Sequence, residues 1–136
     1  MVRELEMPLP PEKVWPWLVR ASQWAECCPG ISWVRIEGGG TDLEPGAKFR
    51  WRISAATLDS EVKEFAEPER LAWSARATGI DAYHAWLIER RPDGCRVLTE
   101  ETQNGWVARL NNLLRPNSVG EIHDAWLRGL LAKARA

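Results

Sequence analysis

Polar and apolar positions alternate through most of the middle of the chain. Ala47, Phe49, Trp51 and Ile53 are separated by Lys48, Arg50, Arg52 and Ser54, the period of two of a strand with one dry and one wet face. Leu71, Trp73, Ala75 and Ala77 alternate with Ala72, Ser74 and Arg76 in the same way. His84, Trp86 and Ile88 share one face of the next segment, with Tyr83, Ala85 and Leu87 on the other, and Val97, Thr99 and Glu101 share a face beyond it. Short strands also fit 31–37, 58–66 and 2–7. Turn residues fall between these runs. Glu44-Pro45-Gly46 suits a type II turn and Glu67-Pro68-Glu69-Arg70 a type I turn, while Arg91-Pro92-Asp93-Gly94 is the strongest hairpin signal. Gly38-Gly39-Gly40 reads as a loop, and Gly79 separates two extended stretches. Connections this tight join antiparallel neighbours, so six or seven antiparallel strands are predicted.

Near both ends the period changes to that of a helix. After Pro10-Pro11, the residues Val14, Trp17, Leu18 and Ala21 fall at i, i+3, i+4 and i+7, with Pro16 expected to shorten or kink the segment. Ser22 to Cys27 suits another helical turn, and Val107–Leu114 a short helix stopped by Pro116. Ser118-Val119-Gly120-Glu121 matches a capping box. Beyond it Val119, Ile122, Trp126, Leu130 and Ala134, widened by Leu127 and Leu131, form the apolar stripe of a long helix. Gly129 inside that helix suggests a close approach to the sheet. The expectation is one α+β domain over 1–136, its closing helix covering one face of a six- to seven-stranded antiparallel sheet.

With that element order in place, several segments carry a resemblance. They are "MPLPPEKVWPWL", "LEPGAKFRWR", "EFAEPERLAW", "HAWLIERRPDGCRVLTEETQNG" and the final helix. Together they resemble the START-like superfamily, in its polyketide cyclase/dehydrase and lipid-transport branch, over essentially the whole chain. The resemblance implies a helix-grip fold, in which a curved sheet wraps around a long C-terminal helix and encloses an apolar cavity. It also implies a hydrophobic small-molecule partner such as a lipid, sterol or polyketide, with cyclisation or dehydration in some members. None of the matched segments is a catalytic signature.

Composition narrows the function classes. The 136 residues carry 18 basic and 19 acidic side chains, a net charge of −1, which argues against a nucleic-acid partner. No apolar run reaches the length of a membrane span, and Glu4 and Glu6 interrupt the segment where a secretion signal would be apolar. The expected location is therefore cytoplasmic. Cys27 and Cys28 are adjacent and Cys95 stands alone, so three reduced thiols are expected. No Cys or His pair shows metal-ligand spacing, and no phosphate loop or nucleophile elbow is present, so neither a metal nor a cofactor is expected. Whether the chain forms a homodimer is left open.

Nine tryptophans are the unusual feature. Trp51, Trp73 and Trp86 from three strands and Trp126 from the long helix could wall a cavity for a flat ligand, or fill it completely. His84 is the first candidate for proton transfer, if its face looks inward. Glu101 is the second, as acid, base or anchor for a hydroxyl. Tyr83 is a candidate donor to a ligand. His123 is expected at the boundary of the helical stripe, and with Asp124 it forms no dyad, since helix neighbours point about 100° apart. Lys48, Arg50 and Arg52 should form a solvated face against Asp59, Glu61 and Glu64. Three functions follow from these residues. One is binding of a hydrophobic or aromatic molecule between sheet and helix. Another is a cyclase or dehydratase using His84 or Glu101. The third is an interaction module with a filled cavity and Arg50 or Arg52 on its working surface.

Overall fold

The computed structural model describes residues 1–136. The chain runs β1 (Val2–Met7), α1 (Pro11–Val19), a 3-10 turn (Ala21–Gln23), α2 (Trp24–Cys27), β2 (Ile31–Ile36), β3 (Lys48–Ile53), β4 (Ala56–Ala66), β5 (Arg70–Ala77), β6 (Ile80–Arg91), β7 (Gly94–Asn104), α3 (Trp106–Leu114) and α4 (Ser118–Ala134). The seven strands form one antiparallel sheet in the order β1-β7-β6-β5-β4-β3-β2. Chain order is kept from β2 to β7, and β1 then adds to the far edge beside β7. Register shifts between Ile31 and Trp33 and between Val62 and Glu64 interrupt the pairing. Such bulges bend a sheet, here around α4. This is the helix-covered antiparallel sheet that the alternation and the closing stripe predict, in the helix-grip form that the resemblance implies.

The turn chemistry explains the register. Gly46 has φ +75° and the Ala47 amide donates to the Glu44 carbonyl at 3.0 Å, closing the expected turn before β3. Pro92 and Asp93 form a two-residue loop with Arg91 opposite Gly94, and that loop sets every pair of the long β6–β7 hairpin. The turn before β5 differs from expectation. It lies one residue earlier, closed by the Glu69 amide on the Ala66 carbonyl at 2.7 Å, and the Glu67–Pro68 peptide is cis.

Two helical details also differ. In α1 the buried positions are Pro11, Val14, Trp15, Leu18 and Val19, so Trp15 rather than Trp17 faces the core. Trp17 lies at the edge beneath the cations of Arg20 and Lys133. Ser118 is the first residue of α4 and does not cap it. Its hydroxyl donates to the Arg115 carbonyl at 3.0 Å, and no side chain caps the helix.

The core is aromatic at its centre. Trp24 is fully buried, with its ring centroid 5.0 Å from Trp73, 5.1 Å from Trp126, 5.6 Å from Trp51 and 5.7 Å from Phe49. Its indole N–H donates to the Leu18 carbonyl at 2.9 Å. Trp51 places its own N–H on the hydroxyl of buried Ser60 at 2.9 Å. Ser60→Ala would orphan that donor, and a loss of about 1–3 kcal/mol is expected from urea denaturation. A loss below a few tenths would mean the indole finds another acceptor. On the opposite sheet face Lys48 stands opposite Glu61, and Arg50 opposite Asp59 at 3.5 Å. Glu64 serves Arg70 and Tyr83 instead, and half-buried Arg52 departs from the expected charged face by donating to the Thr57 hydroxyl at 3.1 Å.

Candidate functional site

The aromatic cluster fills only part of the space between sheet and helix. Toward the β3–β4 and β5–β6 turns the inward positions become small, with Ala56, Ala75 and Ala82, and α3 contributes Ala108. The side chains no longer meet there, and a cavity of about 340 Å³ remains. Trp51, Trp73 and Trp126 wall its inner end, Val107, Ile122 and Val119 its helical side, and Arg115 and Asn111 line it from α3 and the turn beyond. Gly105, with φ +104°, makes the close passage from β7 into α3 beneath the Gly79 carbonyl, where a side chain would collide with backbone.

One corner of this cavity is polar. His84 and Glu101 are directly opposite in the β6–β7 register, with Trp86 opposite Thr99 beside them. His84 Nε2 lies 2.8 Å from Thr99 Oγ1, and the same oxygen lies 2.8 Å from His123 Nδ1 on α4. His123 Nε2 is 3.1 Å from Glu101 Oε1, and His84 Nδ1 is 3.5 Å from that oxygen. Gln103 donates its amide to the other carboxylate oxygen. Four residues thus close a ring, with both histidines 2% exposed and the Glu101 side chain 14% exposed.

The ring can be read by counting hydrogens. With one hydrogen on each imidazole, the two rings and the hydroxyl supply three N–H or O–H hydrogens for the four contacts of the ring. Three short bonds are satisfied when His84 donates to Thr99, Thr99 to His123, and His123 to Glu101. His84 Nδ1 then turns a bare lone pair toward Glu101 Oε1, in keeping with that longer separation of 3.5 Å. Burial first, and then the facing His123 imidazole, hold His84 well below the ordinary histidine range, so it is neutral.

The structure brings His84 and Glu101 together and puts Trp51, Trp73 and Trp126 at the cavity. Trp86 is fully buried behind the polar corner, its ring 5.3 Å from His84 and 5.2 Å from Trp126, and does not border the open space. Tyr83 corrects an expectation. The pleat turns it to the outer face, where its hydroxyl donates to Glu64, and burial and that bond push it up to about 12. His123 corrects another, since it is buried inside the ring and not at a boundary. It stands at i before Trp126, Leu127 and Leu130 at i+3, i+4 and i+7, a spacing that would have placed it inward. Thr99 and Gln103 are the other residues not singled out in advance; both lie on the alternating face of Val97 and Glu101.

A curved antiparallel sheet gripping a C-terminal helix, with an apolar cavity between them, defines the helix-grip class. Within it the chain belongs to the family described as polyketide cyclase / dehydrase and lipid transport, which matches residues 1–135. Among solved structures it is similar to hypothetical protein jhp0584 of Helicobacter pylori, with 30% identity and a TM-score of 0.90 over 98% of this chain and 86% of that one. It also resembles the di-domain ARO/CYC BexL from the BE-7585A biosynthetic pathway, at 18% identity and a TM-score of 0.79, over 100% of this chain and 50% of that one. The protein TTHA0849 of Thermus thermophilus has the same fold at 16% identity and a TM-score of 0.77, over 99% of this chain and 96% of that chain. No curated protein matches the chain. No helix is long and apolar enough to cross a membrane.

Proposed function

We propose that the protein binds a hydrophobic or aromatic small molecule, lipid- or polyketide-like, in the cavity between sheet and α4. The observation that carries this reading is an apolar chamber with one convergent polar corner. Its volume of about 340 Å³ falls in the range of ligand sites. Trp51, Trp73 and Trp126 offer flat walls to such a molecule, and His84, Glu101 and His123 face its oxygen-bearing end. Kinship with a family of cyclases, dehydrases and lipid carriers supports the same reading.

Native mass spectrometry of freshly purified protein, followed by solvent extraction, is expected to show an apolar adduct. A fluorescent naphthalene dye should bind the wild type, and Ala82→Leu, which projects a side chain into the chamber, should weaken that binding at least about tenfold, a loss of about 1.4 kcal/mol or more. A wild type that is free of adduct and binds no dye would overturn the proposal.

A second reading is turnover of the bound molecule by cyclisation or dehydration. The opposed His84 and Glu101 favour it, because the pair could take a proton from one ligand atom and return it to another. In that case Glu101→Gln or His84→Ala should abolish turnover and leave dye affinity nearly unchanged. Equal rates in both variants would remove this second reading and leave the first.

A further inference from the structure

The polar corner contains more nitrogen and oxygen lone pairs than hydrogens to share. With one hydrogen on each imidazole, and when both 2.8 Å contacts to Thr99 carry a hydrogen, only one is left for the two contacts to Glu101, so one imidazole nitrogen faces Oε1 with none between them. His84 Nδ1 and His123 Nε2 both point at that oxygen, at 3.5 and 3.1 Å. Around an ion bound at about 2.1 Å, neighbouring donors lie about 3.0 Å apart at a right angle and about 3.4 Å apart at the tetrahedral angle. The two observed separations match this spacing. One ligand atom from each of His84, Glu101 and His123 lies within 4.8 Å of the other two.

The surroundings are those of metal ligands. A ligating histidine characteristically donates its remote N–H to a fixed acceptor. Here both remote nitrogens, His84 Nε2 and His123 Nδ1, lie 2.8 Å from the single Thr99 hydroxyl, whose two lone pairs can receive both. Gln103 holds the second oxygen of Glu101 and leaves Oε1 to face the histidines. The side of the cluster away from Thr99 opens on the cavity, which all three residues line.

We propose that His84 Nδ1, His123 Nε2 and Glu101 Oε1 bind one first-row divalent cation of the Zn²⁺ or Fe²⁺ type, with its remaining positions open to the cavity ligand. Two imidazoles and one carboxylate suit ions of this class better than Mg²⁺ or Ca²⁺, which prefer oxygen donors. One carboxylate against a dication leaves a net positive charge at the corner. That charge would polarise a carbonyl or hydroxyl oxygen of a ligand seated on the tryptophan walls. In the loaded protein the ion takes over the role that the second reading gives to proton transfer by His84 and Glu101. The proposal holds whether or not the ligand is turned over.

Cobalt is the probe. Full-length protein dialysed against chelator is titrated with Co²⁺ and followed by its visible d–d bands, and with Zn²⁺ by isothermal titration calorimetry. One ion per chain is expected. Glu101→Gln and His123→Gln should each weaken binding by at least about 100-fold, and Thr99→Val, which keeps all three donors but not their orientation, by about tenfold or more. Near-ultraviolet circular dichroism checks folding. Glu101 is the least buried ligand, so Glu101→Gln carries the test if a histidine variant fails to fold. No uptake by the wild type overturns the proposal, as does uptake unaffected by Glu101→Gln. A strong thiolate charge-transfer band would assign the ion to Cys27, Cys28 or Cys95 and overturn it as well. Dye binding measured on the chelator-treated protein separates the two proposals, because dye binding without cobalt uptake defeats the metal site alone.

Discussion

Trp24→Ala is expected to remove about 3–5 kcal/mol of stability, the range for deleting a large buried aromatic side chain. Trp24 is the only residue of the aromatic cluster placed by α2, and it touches partners from β3, β5 and α4 at once. It stacks on Trp73 with an interplanar angle of 29°, and its edge-on contacts to Phe49, Trp51 and Trp126 add attraction beyond the area buried. Removing it opens a void that neighbouring rings, themselves close-packed, cannot fill by turning. It also leaves the Leu18 carbonyl without its donor. The measurement is the urea midpoint at unchanged slope. Against a total of about 5–15 kcal/mol for a domain, the variant should be close to unfolding at physiological temperature. A loss under about 1 kcal/mol would show that the cluster is loosely packed.

Gly129→Ala should also destabilise the protein, by about 2 kcal/mol or more, although the same change in an exposed helix stabilises by up to about 1 kcal/mol. Gly129 lies well inside α4, where the helix crosses the end of α2. A Cβ there would fall inside the Cys27 carbonyl oxygen, with its carbonyl carbon at 2.7 Å and Cα at 3.1 Å. These are backbone atoms and cannot swing aside, so α2 and α4 must separate, carrying Trp24 and Trp126 with them. The glycine does mark a close approach, but to α2 and not to the sheet. Thermal unfolding checks the sign. A raised Tm would mean that the two helices slide apart at little cost.

Both residues show how much of the architecture is legible along the chain. Strand alternation depends only on neighbouring positions, so Phe49 with Trp51, and His84 with Trp86, can be assigned to a shared face without knowing what they meet. The Pro92-Asp93 loop carries more than a turn. A two-residue loop pairs Arg91 with Gly94, and counting equally in both directions puts His84 opposite Glu101. That half of the polar corner lies in the hairpin register. Expectation and structure part where a local rule has two solutions: the phase of α1 around Pro16, the first residue of α4, and the turn at Pro68. Tyr83 differs for another reason, since its face follows from the pleat but its partner Glu64 belongs to a strand two positions away in the sheet.

The sequence by itself determined six or seven antiparallel strands and a closing helix with its apolar stripe, because periodicity and turn chemistry act over a few residues. Only the tertiary structure decided that His123 reaches Thr99 and Glu101, and that the tryptophans stop short of the alanine-lined end. Those two facts depend on where α4 crosses the sheet, and that is set by the Gly129–Cys27 contact and by the packing of Trp24 and Trp126. No spacing along the chain encodes such a crossing, since it comes from side chains of distant segments excluding one another in a shared core.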